Sequence, residues 1–198
     1  MRGLARSTAA LGALLVLGAC GAPSTPAART TSSTPPAVSA RLVALDAAVT
    51  AWESAGTLAQ AKAGAETARN LVTGPDVMGY GDLDGDGYTG GANDAGLLPG
   101  EKGQPGLVAA PVSSCVERDV LGGGWADPGE RWADLRTRVE QWSPSNNTFP
   151  ALASHPQRVV GWASLTLQST TLDAAHEFAG HAQLHVAETR KAFEDCRR

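Results

Sequence analysis

Asp82, Asp84 and Asp86 alternate along the chain, and Gly87 follows at once. Carboxylates at every second position of a tight loop can turn toward one point, where a hard cation would take their oxygens. Ca²⁺ accepts six to eight such ligands at about 2.3–2.6 Å, and the turn at the sixth loop position calls for a residue tolerant of positive φ, hence glycine. Mg²⁺ suits the pattern less, because it prefers fewer protein ligands and stricter octahedral geometry. The charge distribution agrees. Residues 74–101 hold Asp76, Asp82, Asp84, Asp86, Asp94 and Glu101, with no Lys, Arg or His. Once Arg2 and Arg6 are set aside with the leader described below, the remaining residues balance, so this segment carries the whole net charge. Crowded acids repel one another unless a cation neutralises them. No basic stripe exists for nucleic acid.

Counted from Asp82, the ligand positions 1, 3, 5, 7, 9 and 12 of a twelve-residue calcium loop fall on Asp82, Asp84, Asp86, the carbonyl of Tyr88, Gly90 (through water) and Asn93. Over about 13 residues the stretch resembles the Asp-x-Asp-x-Asp-Gly loops of the EF-hand and dockerin families. It departs from them at position 12, where Asn93 replaces an acid, and at position 8, where Thr89 replaces an aliphatic residue. Gly90-Gly91 could absorb one inserted residue and let Asp94 close the loop, and Glu101 is a further candidate. No helix is predicted directly on either side, so the resemblance covers the loop and not a helix–loop–helix unit.

A second group of candidate ligands lies near the C-terminus. His176 and His181 are five residues apart and diverge by roughly 140° on a helix, which excludes a zinc-protease pair. Glu177, His181 and His185 are spaced four and four and converge within roughly 80°. Two imidazoles and a carboxylate suit Zn²⁺, Cu²⁺ or Fe²⁺. Against this, Ala175, Phe178, Ala179, Ala182, Val186 and Phe193 form the apolar face of the same helix. Glu177, His181 and Glu188 then face solvent, with His185 at the border. His155, just before Pro156, reads as a helix-start residue rather than a ligand. The chain has no Gly-x-Ser-x-Gly elbow and no Gly-Lys-Ser/Thr phosphate loop.

The N-terminus begins with Arg2 and Arg6, continues in an apolar run too short to span a bilayer, and reaches Leu17-Gly18-Ala19-Cys20. This end resembles a bacterial lipoprotein signal. The resemblance implies a leader at 1–19, lipidation of Cys20 and an extracytoplasmic protein tethered to a bacterial membrane. Residues 20–38, rich in Pro, Ser, Thr and Ala, read as a disordered tether, and 39–198 as one domain. With Cys20 taken by lipid, Cys115 and Cys196 are expected to pair, which would stabilise by about 4–5 kcal/mol in the chain-entropy view.

Helices must carry these groups. Leu42, Leu45, Val49 and Trp52 mark one amphipathic face, and a second helix covers about 57–72 before Thr73-Gly74-Pro75. Asp127-Pro128 starts a helix with the stripe Trp132, Leu135, Val139 and Trp142. Another starts near Pro156, with a short strand as the alternative, and the last spans about 172–194. Between them, residues 74–128 contain 14 glycines and show neither strand nor helix. The expected fold is an all-α bundle of four or five helices with a long Gly/Asp-rich crossover that binds calcium. The functional expectation is a non-enzymatic, lipid-anchored protein with a binding or structural role in the cell envelope. The alternatives are a transition-metal or redox protein using Glu177, His181 and His185, and a hydrolase with an unrecognised site.

Overall fold

The computed structural model describes residues 34–108 and 113–196. The leader, Cys20 and residues 20–33 of the tether lie outside the described residues. Six α-helices are seen among those described: α1 (Pro36–Glu53), α2 (Leu58–Thr73), α3 (Ser114–Asp119), α4 (Pro128–Gln141), α5 (His155–Gln168) and α6 (Leu172–Asp195), with a 3₁₀ turn at Phe149–Ala151. The protein is all-α.

Most helix starts follow their capping chemistry. Thr57, Asp127, Ser154 and Thr171 each accept a hydrogen bond from the backbone N–H three residues on. α1 reaches into the stretch read as tether. Pro36 presets its first φ, and Val38, buried, extends the stripe of Leu42, Leu45, Val49 and Trp52 by one turn. The Val159–Leu165 region is helix, not strand, because its apolar side chains meet neighbours at helical spacing. The crossover also contains one helix the sequence reading missed. α3 is only six residues long, too short for periodicity to reveal, and is capped by Ser113.

α1, α2, α5 and α6 pack on one another, α4 packs on α5, and α3 packs on α6. Gly64 lets α1 and α2 touch, since a Cβ there would lie 2.7 Å from that of Trp52. Trp52 is fully buried and donates its indole N–H to Ala175 O at 2.9 Å, linking α1 to α6. Trp142, Phe149, Trp162 and Phe178 form a cluster of mostly edge-to-face rings between α4, α5 and α6. A disulfide joins Cys115 to Cys196, as expected, and fastens α3 to the end of α6. No helix among the described residues is long and apolar enough to cross a membrane.

Candidate metal-binding site

The crossover is threaded onto two polar side chains of α2. Glu66 and Asn70 are four residues apart, so they share one helix face, and both are buried. Glu66 accepts backbone hydrogen bonds from Leu83 and Asp84 through Oε2 and from Gly90, at 2.7 Å, through Oε1. Asn70 donates through Nδ2 to Gly81 O and Gly90 O, and its Oδ1 accepts from Gly81 N. Burying a carboxylate is costly unless its oxygens are hydrogen-bonded, and three N–H donors meet that need here. Gly90 must be small, because a Cβ would lie 2.3 Å from Thr67 Oγ1.

The chain beyond the loop closes the C-terminus of α2. A helix leaves its last carbonyls without partners. Leu97 N and Leu98 N donate to Leu71 O and Val72 O. The Arg41 guanidinium donates to Leu71 O and Ala95 O at 2.7 and 2.9 Å, placing positive charge where the helix dipole favours it.

Within the loop, the aspartates fold the backbone around themselves. Asp82 accepts from Gly85 N and Gly87 N at 2.8 and 2.9 Å, Asp84 from Asp86 N, and Asp86 from Tyr88 N. Gly87 has φ +86°, the left-handed turn its position demanded. One carboxylate oxygen each from Glu66, Asp82 and Asp84 falls within 4.8 Å of the others. Burial raises the Asp84 carboxyl above its ordinary value. The Asp86 N–H holds it down, and the negative charges of Glu66, Asp86 and Asp82 push it up again. Three hard oxygen donors and mutual repulsion fit a divalent cation of the calcium type.

Of the six residues expected to bind calcium, the structure brings Asp82 and Asp84 into this group. Asp86 and Asp94 lie outside it. The side chain of Tyr88 is exposed, and only its carbonyl was ever a candidate. Asn93 acts as a clamp: its Nδ2 donates to Asn70 O and Gly91 O, and its N–H donates to the Tyr80 hydroxyl. Its Oδ1 is buried without a hydrogen-bond partner. Glu101 is taken by Arg136 and by Met78 N. The carboxylate grouped with Asp82 and Asp84 is Glu66, from the helix before the loop; Asp94 and Glu101 are not in that group. No local signal in the sequence marked it, because the burial of Glu66 and Asn70 comes from the crossover that wraps them. An open groove of about 530 Å³ runs beside the loop, with Ala48, Ala51, Ala55, Ala63 and Tyr88 on its walls.

No family model, curated protein or solved structure matches this chain.

The histidines separate. Metal-capable groups among the described residues are Glu66/Asp82/Asp84 and Cys115/Asp119/Cys196, and the sulfurs of the second are joined as a disulfide. Glu177, His181 and His185 are not brought together in this way. Glu177 is exposed, and His181 lies flat against Trp162 with ring centroids 4.4 Å apart. His185 turns instead to His155, the first residue of α5, with their Nδ1 atoms 3.1 Å apart. His176 is used by Ala55 O, 2.8 Å from its Nε2.

Proposed function

We propose that this chain is a calcium-stabilised, lipid-anchored extracytoplasmic protein whose role in the cell envelope is binding or structural. The observation that carries the calcium reading is the convergence of Glu66, Asp82 and Asp84 oxygens on a loop closed by Gly87. Glu66 supplies the fixed ligand from α2, Asp82 and Asp84 supply the loop ligands, and the Tyr88 carbonyl and water complete the shell. The ion offsets the repulsion among these groups and holds the crossover on α2. It also fixes Tyr88 at the rim of the adjoining groove, where a small ligand or a segment of a partner would bind. The anchor reading rests on Leu17-Gly18-Ala19-Cys20.

Thermal melting with and without Ca²⁺ tests the first part. At [Ca²⁺] near 100 times Kd the gain is about 2.7 kcal/mol, or a rise of roughly 5–10 °C in Tm for a domain of this size. The rise should vanish in Glu66→Gln and in Asp84→Asn. An equal rise in both variants would refute the site. Cys20→Ala should move the protein from the membrane fraction to the soluble one, and continued membrane attachment would refute the anchor.

A further inference from the structure

We infer that a cavity between α2, α4 and α5 binds a short-chain aliphatic carboxylate, held by Arg69 and Arg136. The cavity has a volume of about 200 Å³. At about 30 Å³ per water that is room for roughly six or seven non-hydrogen atoms, well below drug size. Val77, Leu135, Val139 and Val160 give it an apolar wall. Arg69 of α2 and Arg136 of α4 bring two guanidiniums to that wall, and Ser164 of α5 adds a hydroxyl. Met78, Glu140 and Gln168 line it as well and are exposed, so it opens to solvent on their side.

An uncompensated charge points to the ligand. Arg69 Nη1 is buried and has no hydrogen-bond partner. The other two nitrogens meet neutral acceptors: Nε donates to Ser164 Oγ at 3.3 Å and Nη2 to Met78 O at 3.2 Å. Glu101 is the carboxylate whose charge reaches Arg69, but it is engaged by Arg136 and by Met78 N. A buried guanidinium without an anion of its own is costly. Burial, then the charge of Arg136, lowers Arg69 to about 10, with Glu101 opposing, so at neutral pH the group keeps its charge. Two guanidiniums thus share one acid, and an anion in the cavity supplies the second. The crossover holds Arg69 in place for it. A Cβ on Gly79, at φ +79°, would lie 2.8 Å from Nη2, so the backbone passes directly against the guanidinium. A planar carboxylate matches the guanidinium fork, and its hydrocarbon tail covers the apolar wall. Phosphate would bring a second charge past Glu140 and leave that wall bare. Asp82 and Asp84 take no part, and this inference does not rest on the calcium reading.

The probe is sodium isovalerate, titrated into the full chain at physiological ionic strength while NMR follows the side-chain Nε–H signals of Arg69 and Arg136. Binding should saturate at one equivalent. A hydrogen bond to a charged group is worth about 10–100-fold in affinity, so Arg69→Gln and Arg136→Gln should each weaken binding by about that much. Arg69→Lys keeps the charge and should still lose about tenfold, because the fork is gone. Arg136→Gln alters a half-exposed side chain, so it and Arg69→Lys, checked for native melting, separate lost binding from misfolding. Glu101→Gln should tighten binding by about fivefold, because it frees Arg136 and removes a like charge. A purely structural role for these residues predicts no such gain. Arg190→Gln, which removes an exposed charge on α6, should leave affinity unchanged. The inference is overturned if isovalerate gives no saturable shifts, if the neutral analogue 3-methylbutanol binds as tightly, if inorganic phosphate binds more tightly, or if affinity survives in both Arg69→Lys and Arg136→Gln.

Discussion

Trp52 and Glu66 are both essentially fully buried, yet they hold their surroundings by different physics. Trp52 sits among Leu45, Val49 and Gly64 and gains by removing apolar area from water, with one indole N–H spent on Ala175 O. That attraction has no preferred direction, and a similar shape can replace it. Glu66 gains nothing from apolar burial. It is stable because Leu83, Asp84 and Gly90 aim backbone N–H groups at its two oxygens. Each bond is directional, and an acceptor of the wrong charge strands a donor. The bundle is thus secured by volume and the crossover by geometry, and α2 presents a face to each.

The largest expected effect is on the volume side. Trp52→Ala should cost about 3–5 kcal/mol from lost contacts, the cavity left behind and the lost indole bond to Ala175 O. Urea unfolding should show this as one cooperative transition moved to lower midpoint. Glu66→Gln is nearly isosteric, yet it removes the charge and turns an NH₂ toward backbone donors. It should cost about 2–3 kcal/mol, and hydrogen exchange should place the loss at the Leu83, Asp84 and Gly90 amides while α5 and α6 stay protected. If those two helices open together with the loop, the contrast between the regions fails and the crossover is part of the core.

That contrast also explains what was legible in the sequence. The spacing of Leu42, Leu45, Val49 and Trp52 depends only on helix geometry, so local pattern suffices to read it. The cap at Asp127 is equally local. The cysteine pairing followed from there being two free partners. The crossover's organisation was hidden because it depends on contacts between residues 11–24 apart, such as Gly81 with Asn70 and Gly90 with Glu66. A single glutamate in a helix looks solvated until the backbone that surrounds it is in place. The same limit applied to His155. Its neighbour Pro156 announced a helix start, but nothing nearby in the chain announced His185, 30 residues on. Glu177, His181 and His185 looked convergent because helix periodicity treats the helix as isolated. Trp162 and His155, both from α5, draw two of them away.

Acid should probe the α5–α6 contact, and the sign of its effect is fixed. Burial, then the charges of Arg158, His155 and His181, lowers His185 to about 4, from an ordinary value near 6.5. His155 is also lowered, by burial and Arg158, with Glu188 opposing. The unfolded chain therefore binds more protons than the folded one between about pH 4 and pH 6.5. The contribution is fully present above that window and is lost as pH falls through it. With EDTA present, urea midpoints should fall between pH 7.5 and 5.5. The fall should be shallower in His155→Gln/His185→Gln, where the titrating pair is gone. Equal slopes in both proteins would show that these rings are as solvated as in the unfolded chain.

The smallest effect belongs to a carboxylate that resembles Glu66 in chemistry but not in setting. Asp46 of α1 accepts from Gln183 at 2.9 Å and from Arg190 at 2.7 Å, both on α6. Its partner Arg190 is well exposed, so water competes for the pair and salt screens it. Asp46→Asn should cost no more than about 1 kcal/mol, and a double-mutant cycle with Arg190→Gln should return a coupling of about 0.2–1 kcal/mol that shrinks at high salt. Glu66→Gln should be less sensitive to salt, because the Glu66 carboxylate is buried and its partners are backbone amides rather than a mobile charge. If instead Asp46→Asn matched Glu66→Gln in size, burial would not be what distinguishes the two acids. The loop would then be held by ordinary charge pairing, with no special role for the three amides around Glu66.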